Sequence, residues 1–415
     1  MFKLPYLLSL MAASVSSLLF PKPLGPYDVY RKTTKLVDTT RTDPFSPNQD
    51  YRAVLTTIFT PTICCTPLEP RPYIPAATAK FYTDLFTTYG LTIPDGALTS
   101  LQLQTCADPP GPHSRTQPRK FPIIIFSPGL GTTRLFYTIL AQSLASAGYI
   151  VVSIDHPYDT EFLEFPDRTV VTAANITDDL VPLDVDARAR DMSFVLDQLR
   201  LGAMGVRVSR TADVAVLGHS LGGAAAAEAM RQDSRFRAGI NLDGSMYGPV
   251  VRQGPGDDDE RPFLLFGHEN KTHVTDPSWA EFIHNWGHGG VVELELEKAA
   301  HYTFSDLPSL LDLLGLDGRQ VPAVKAMIGS LGGERALEVI QGVIKGFLEE
   351  GFCQGTTSAS NVLEVAGYFI RILEGFVKTP EYQNAPIPTD ALVRGMGIVE
   401  NHLWQSYGDT VVVKD

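Results

Sequence analysis

The sequence predicts an α/β fold, a mostly parallel central sheet with helices on both faces. Three observations predict it. Short apolar runs alternate with helical patterns from about residue 28 onward through a chain of 415 residues. A glycine-rich turn, Gly218-His219-Ser220-Leu221-Gly222, stands between one such run, Val214-Ala215-Val216-Leu217, and an alanine-rich helical stretch over residues 224–230. Asp243 and His301 each stand just past a later apolar run, at the strand end where open parallel sheets carry their sites.

Taken in order, residues 54–59 end at Pro61 and read as an early strand. Residues 121–126 form the next strand and lead into the loop Ser127-Pro128-Gly129-Leu130-Gly131. Leu135 to Ala147 reads as a helix, and residues 149–154 as a strand ending at Asp155-His156. The segment 157–183 contains Pro157, Pro166 and Pro182 and reads as a long irregular insertion that caps or walls a pocket. Asp186 to Leu199 is an amphipathic helix leading to the strand before Ser220. Strands follow at 237–242, 263–266 and 291–296. Extra C-terminal helices at about 334–350 and 360–377 carry the stripes Leu337, Ile340, Ile344, Phe347 and Val362, Phe369, Ile372, Phe376, read as core-facing. The alternative for the second stripe is a lipid-binding face.

A G-x-S-x-G turn between strand and helix is the nucleophile elbow of the α/β-hydrolase fold, because only glycines allow a turn tight enough to expose the serine. Ser220 is therefore the candidate nucleophile. It needs a general base held by a carboxylate, and this fold supplies acid and then base downstream. Asp243 and His301 fill those places. Glu269 and Asp276, after the 263–266 strand, are competing acids. His219 reads as a structural neighbour. The histidines His268, His273, His284, His288 and His402 lack the loop position that His301 has. His284 and His288 with Glu281 have metal-like spacing, but Trp286-Gly287 and Gly289-Gly290 break the helix it requires, so no metal and no cofactor are expected. The oxyanion hole is expected from the backbone N–H groups of Leu221 and of Leu130.

The segments Phe126-Ser127-Pro128-Gly129-Leu130-Gly131 with Arg134, Asp155-His156, Gly218 to Gly223, Leu242-Asp243 and His301-Tyr302-Thr303-Phe304-Ser305-Asp306 occur in this order. Together the chain, over residues 25–350, resembles the secreted platelet-activating-factor acetylhydrolase family, its fungal members in particular. The resemblance implies a metal-free α/β-hydrolase that removes a short acyl group from the sn-2 position of a phospholipid. By position it makes Ser220 the nucleophile, Asp243 the acid, His301 the base, and Leu130 and Leu221 the oxyanion donors. The chain departs at Pro128, a histidine in the animal enzymes, and at Gly244, which replaces an aromatic. Two alternatives stand beside this reading: a broad secreted carboxylesterase or cutinase-like polyester hydrolase, and an inactive hydrolase-fold binding module.

The remaining features concern location. Lys3 followed by the apolar stretch from Leu4 to Ala13 reads as a secretory leader cleaved around residues 16–22, with an uncleaved anchor as the alternative. Residues 1–20 are then the leader, 21–355 the catalytic domain with 157–183 as its pocket-lining insertion, and 356–415 a helical extension. Asn175-Ile176-Thr177 and Asn270-Lys271-Thr272 are glycosylation sequons. The cysteines are Cys64, Cys65, Cys106 and Cys353, and Cys106 is expected to pair with Cys64 or Cys65. The net charge of −13 argues against nucleic acid and anionic lipid as electrostatic partners. Asp257-Asp258-Asp259-Glu260 reads as a solvated loop. The expected partner is a small ester or phospholipid, met outside the cell.

Overall fold

Apolar alternation in the central strands sets the layering. The computed structural model describes residues 18–23, 25–62, 65, 67–107, 120–256, 259–286, 290–316, 318–353 and 410–413. The N-terminal strands are β1 (Leu18–Leu19), β2 (Asp28–Thr42), β3 (Tyr51–Thr62), β4 (Leu68–Pro72) and β5 (Leu101–Cys106). The central ones are β6 (Ile123–Ser127) and β7 (Ile150–Asp155), followed by a small hairpin, β8 (Phe162–Glu164) and β9 (Val170–Thr172). Then come β10 (Val214–His219), β11 (Ala238–Leu242), β12 (Phe263–His268), β13 (Val291–Leu296) and β14 (Thr410–Val413).

The helices are α1 (Ala76–Thr88), α2 (Ala97–Ser100), α3 (Thr138–Ser146), α4 (Val181–Arg200) and α5 (Leu221–Gln232), then α6 (Val250–Gln253), α7 (Pro277–Asn285), α8 (Leu307–Leu313), α9 (Pro322–Ile328) and α10 (Gly333–Cys353). One sheet runs in the order β1, β5, β2, β3, β7, β6, β10, β11, β12, β13, β14, with β4 added on β5. From β7 to β14 every neighbouring pair is parallel.

Successive residues of a strand face opposite sides. Val214 and Val216 join Ile123, Ile125, Phe263 and Leu265 beneath α4, α5 and α7, with Leu196, Met230 and Phe282 packed on them. Ala215 and Leu217 join Ile124, Phe126, Ile240, Leu264 and Leu294 beneath α3, α8 and α10, with Leu144, Leu310 and Ile344. Both strand faces are covered, which is why these strands read as continuous apolar runs. In α10, Ile340, Ile344 and Phe347 are buried and Leu337 packs against the same core, so this stripe faces inward as expected. The expected helix at 360–377 lies outside the described residues, as do most of the extension from 356 and the leader up to residue 17. Leu18 and Leu19 pair with Leu101 and Gln102, and Phe20 is buried beside Tyr73.

The structure differs from the sequence expectation at several elements. The early strand runs over Tyr51–Thr62 and pairs antiparallel with the 15-residue β2. The helix expected from Leu135 starts with a 3-10 turn, Arg134–Tyr137, before α3. The insertion at 157–183 is not wholly irregular: it holds the β8–β9 hairpin, and α4 begins at Val181 with Pro182 in its first turn, where a missing N–H costs nothing.

The site's location follows from topology. β7 joins one side of β6 and β10 the other, so the strand order reverses there and a crevice opens beyond the carboxyl ends. Register aligns those ends, pairing Ser127 with Gly218 and His219 with Leu242.

Candidate active site

Ser220 ends the run of β10 with φ 54° and ψ −128°, a left-handed conformation held by its surroundings. Its N–H donates to the Leu242 carbonyl at 2.9 Å, fixing the turn to the neighbouring strand. A Cβ on Gly218 would lie 2.0 Å from the Gly222 backbone, and one on Gly222 would lie 2.1 Å from the Ser127 carbonyl oxygen. Strand, helix and the Ser127–Gly131 loop therefore meet at distances only glycine allows. Helix α5 begins at Leu221 and directs its positive end toward the site.

Asp243 follows β11 at φ 61°, with its N–H donating to the Phe266 carbonyl at 2.9 Å. Its Oδ2 accepts from His301 Nδ1 at 2.5 Å. Its Oδ1 accepts from His268 twice, from Nδ1 at 2.6 Å and from the backbone N–H at 2.8 Å. Burial raises the carboxyl's pKa, but the bonds from His268 and then His301 outweigh it and hold it below the usual carboxylate range. A carboxylate accepts only, so His301 donates from Nδ1, and Nε2 lies on the other side of the ring.

The competing acids are engaged elsewhere. Asp276 accepts from Lys271 Nζ at 2.8 Å and Ser245 Oγ at 2.6 Å while capping α7, and Glu269 accepts from the Lys298 N–H at 2.9 Å. His273 pairs with Glu293 at 3.0 Å, His284 lies in α7, and His288 and His402 lie outside the described residues. Among the described residues no group of three His, Cys, Asp or Glu is placed to hold a metal. His268 lacks the loop position of His301, yet it is bonded to Asp243. Its signal was position: it ends β12, the strand beside the one that delivers Asp243.

His219 is buried behind Ser220. Its Nε2 donates to the His301 carbonyl at 2.8 Å, so Nδ1 accepts from the Tyr137 hydroxyl at 2.8 Å. Burial and the neighbouring His301 push its pKa down to about 3, so the ring is neutral. The two rings lie 4.6 Å apart, and in this way the residue before Ser220 supports the backbone of His301.

The loop Ser127–Gly131 lies alongside, so close that a Cβ on Gly129 would be 3.3 Å from Ser220 Cβ. The Gly129 N–H donates to the Tyr137 oxygen at 3.4 Å and the Gly131 N–H to Asp159 Oδ1 at 3.2 Å. Among the described residues the N–H groups of Leu130 and Leu221 have no protein partner. Leu221 packs with Val181, Val185, Ala224 and Ile176, so the end of the 157–183 insertion borders the residue after Ser220. Behind the loop, Arg134 pairs with Asp155, whose carboxylate also accepts from the Arg134 N–H at 2.5 Å.

Cys65 and Cys106 form a disulfide, resolving the choice for Cys106, while Cys64 and the Cys353 side chain lie outside the described residues. Asn175 and Asn270 are both exposed. Among the described residues no helix is long and apolar enough to cross a membrane.

Residues 16–162 and 173–361 match the family described as platelet-activating factor acetylhydrolase, isoform II. The chain is 32% identical over 375 residues to a probable 1-alkyl-2-acetylglycerophosphocholine esterase of Arthroderma benhamiae, covering 84% of this chain and 94% of that protein. It is 31% identical over 166 residues to a platelet-activating factor acetylhydrolase of Bos taurus, a match covering 32% of this chain and 37% of the bovine protein. A ferulic acid esterase from Streptomyces cinnamoneus has a similar structure, with TM-score 0.67, 28% identity, and 81% of this chain and 93% of that one covered.

Proposed function

Because the chain belongs to the platelet-activating factor acetylhydrolase isoform II family, and is thus a carboxylic ester hydrolase, we propose that it cleaves the short sn-2 acyl ester of a choline phospholipid through an acyl-enzyme on Ser220. The observation that carries the assignment of roles is the 2.5 Å bond from His301 Nδ1 to Asp243, beside a serine held on a left-handed elbow.

His301 Nε2 takes the Ser220 proton as Oγ attacks the ester carbonyl. The N–H groups of Leu130 and Leu221 hold the oxyanion, and Asp243 stabilises the imidazolium. Collapse breaks the bond to the glycerol oxygen, which leaves with the His301 proton as the lyso-phospholipid. Water, deprotonated by His301, then attacks the acyl-serine and releases the short carboxylic acid and free Ser220. Export fits the same reading: a leader over residues 1–20, the exposed sequons at Asn175 and Asn270, and the Cys65–Cys106 bridge.

The test is a substrate panel on purified protein, with Ser220→Ala as control. We expect release of acetate from 1-alkyl-2-acetylglycerophosphocholine, little activity on long sn-2 chains, and a fall of about 10³-fold or more in Ser220→Ala. Turnover of feruloyl or polymeric esters with no action on the phospholipid would overturn the substrate and leave the esterase. An active Ser220→Ala would overturn the site.

A further inference from the structure

We propose that the buried pair Arg188 and Asp159 is a positioning device that sets the Leu130 N–H for the oxyanion; this rests on the site reading above. Leu130 has a difficulty to solve. Its side chain is 41% exposed, so packing does not hold the backbone of the residue that must aim its N–H within a few tenths of an ångström. The restraint comes instead from the residues on either side.

Arg188, on α4, is fully buried. Its Nη1 donates to the Pro128 carbonyl at 2.6 Å and to Ser127 Oγ at 3.2 Å. Its Nε donates to Asp159 Oδ2 at 2.6 Å and to Asp184 Oδ2 at 3.0 Å. Asp159 returns to the same loop, accepting the Gly131 N–H on Oδ1. One ion pair therefore grips residue 128 by its carbonyl and residue 131 by its amide, and Leu130 stands between.

The clamp is anchored at the rear. His156 donates from Nδ1 to Asp191 at 2.8 Å, so its Nε2 accepts from the Ser127 hydroxyl at 2.9 Å. Asp191 also accepts from Arg52 on β3 at 2.7 Å and from Arg41 on β2 at 2.8 Å. Burial and the adjacent Asp159 push the Asp184 carboxyl far above its usual range, so it stays protonated; Arg188 outweighs burial at Asp159 and holds it ionised. Such a cluster is a poor source of stability, since desolvating its charges offsets their attraction. A guanidinium suits it because the planar fork meets several acceptors at fixed angles, which an ammonium cannot.

The experiment measures kcat, KM and the inhibition constant of a trifluoromethyl ketone analogue of the substrate, whose adduct with Ser220 puts an oxyanion in the hole, for Arg188→Lys, Asp159→Asn and Asp159→Ala. We expect Arg188→Lys and Asp159→Ala to lose about 30- to 100-fold in kcat, less than the loss of a whole oxyanion donor, with KM within about 3-fold. Ketone affinity should weaken in the same proportion. Asp159→Asn keeps an acceptor for Gly131 and should lose under about 10-fold. Normal kcat in Arg188→Lys, or a kcat loss with unchanged ketone affinity, overturns the clamp. If Arg188→Lys does not fold, equal kcat in the two Asp159 variants overturns it. Ser220→Ala separates the levels: an active Ser220→Ala sinks the site reading, whereas a dead Ser220→Ala with normal clamp variants sinks the clamp alone.

Discussion

The Tyr137 hydroxyl donates to His219 Nδ1 across 2.8 Å, and both groups are buried behind Ser220. The same oxygen accepts the Gly129 N–H, and His219 passes the contact on to the His301 carbonyl. A single hydroxyl thus ties the Ser127–Gly131 loop to the backbone of His301. Tyr137→Phe should cost about 1–3 kcal/mol of stability by stranding two buried polar groups. It should also lower kcat by about 10-fold while leaving KM nearly unchanged. Thermal unfolding with steady-state kinetics checks both, and unchanged kcat would show that the strut does not reach the chemistry.

Asp243 and Asp276 follow neighbouring strands but have different partners. Asp243→Asn keeps the shape and loses the charge that orients His301, so kcat should fall by about 10³- to 10⁴-fold. Asp276→Asn, bonded to Lys271 and Ser245 instead, should retain turnover within about 3-fold. The reverse ranking would move the acid to Asp276.

Gly244 sits where no side chain fits in this chain, since a Cβ there would lie 2.0 Å from the Ser220 carbonyl oxygen. Gly244→Ala should displace the elbow, with a loss of at least about 100-fold in fluorophosphonate labelling of Ser220 and about 1–3 kcal/mol of stability. Labelling at the wild-type rate would refute the steric argument.

Asp306 is buried and accepts from the Tyr73 hydroxyl and the Ile139 N–H, each at 2.9 Å, at the start of α3. Burial outweighs these donors and raises its pKa from 3.8 to about 7. Because the folded value is raised, its stability contribution is full below about pH 4 and is lost as pH rises through about 7, on the order of 4 kcal/mol in all. Asp306→Asn, fixed in the neutral form, should lack that fall. Urea unfolding at pH 5.5 and 8.5 compares the two proteins, and parallel losses would exclude Asp306 as the source.

Much of the candidate site was legible because it is built from local grammar. A strand, a glycine turn and a helix adjacent in the chain mark Ser220, and strand ends mark Asp243 and His301. The long β2–β3 hairpin was half missed because β2, rich in Lys, Arg and Thr, lies mostly half-exposed and carries no clean apolar period. His268, Tyr137, Arg188 and Asp159 left no chemical motif at all, since each acts on residues distant in the chain.

The sequence by itself determined the fold class, the elbow at Ser220, and strand ends for Asp243 and His301, because these depend on covalent neighbours and hydrophobic period. Tertiary structure alone decided that His301 meets Asp243 and not Asp276, that Cys106 meets Cys65, and that a buried arginine on α4 holds the loop at Leu130. Those pairings depend on sheet register and helix packing, which bring together groups that lie tens of residues apart in the chain.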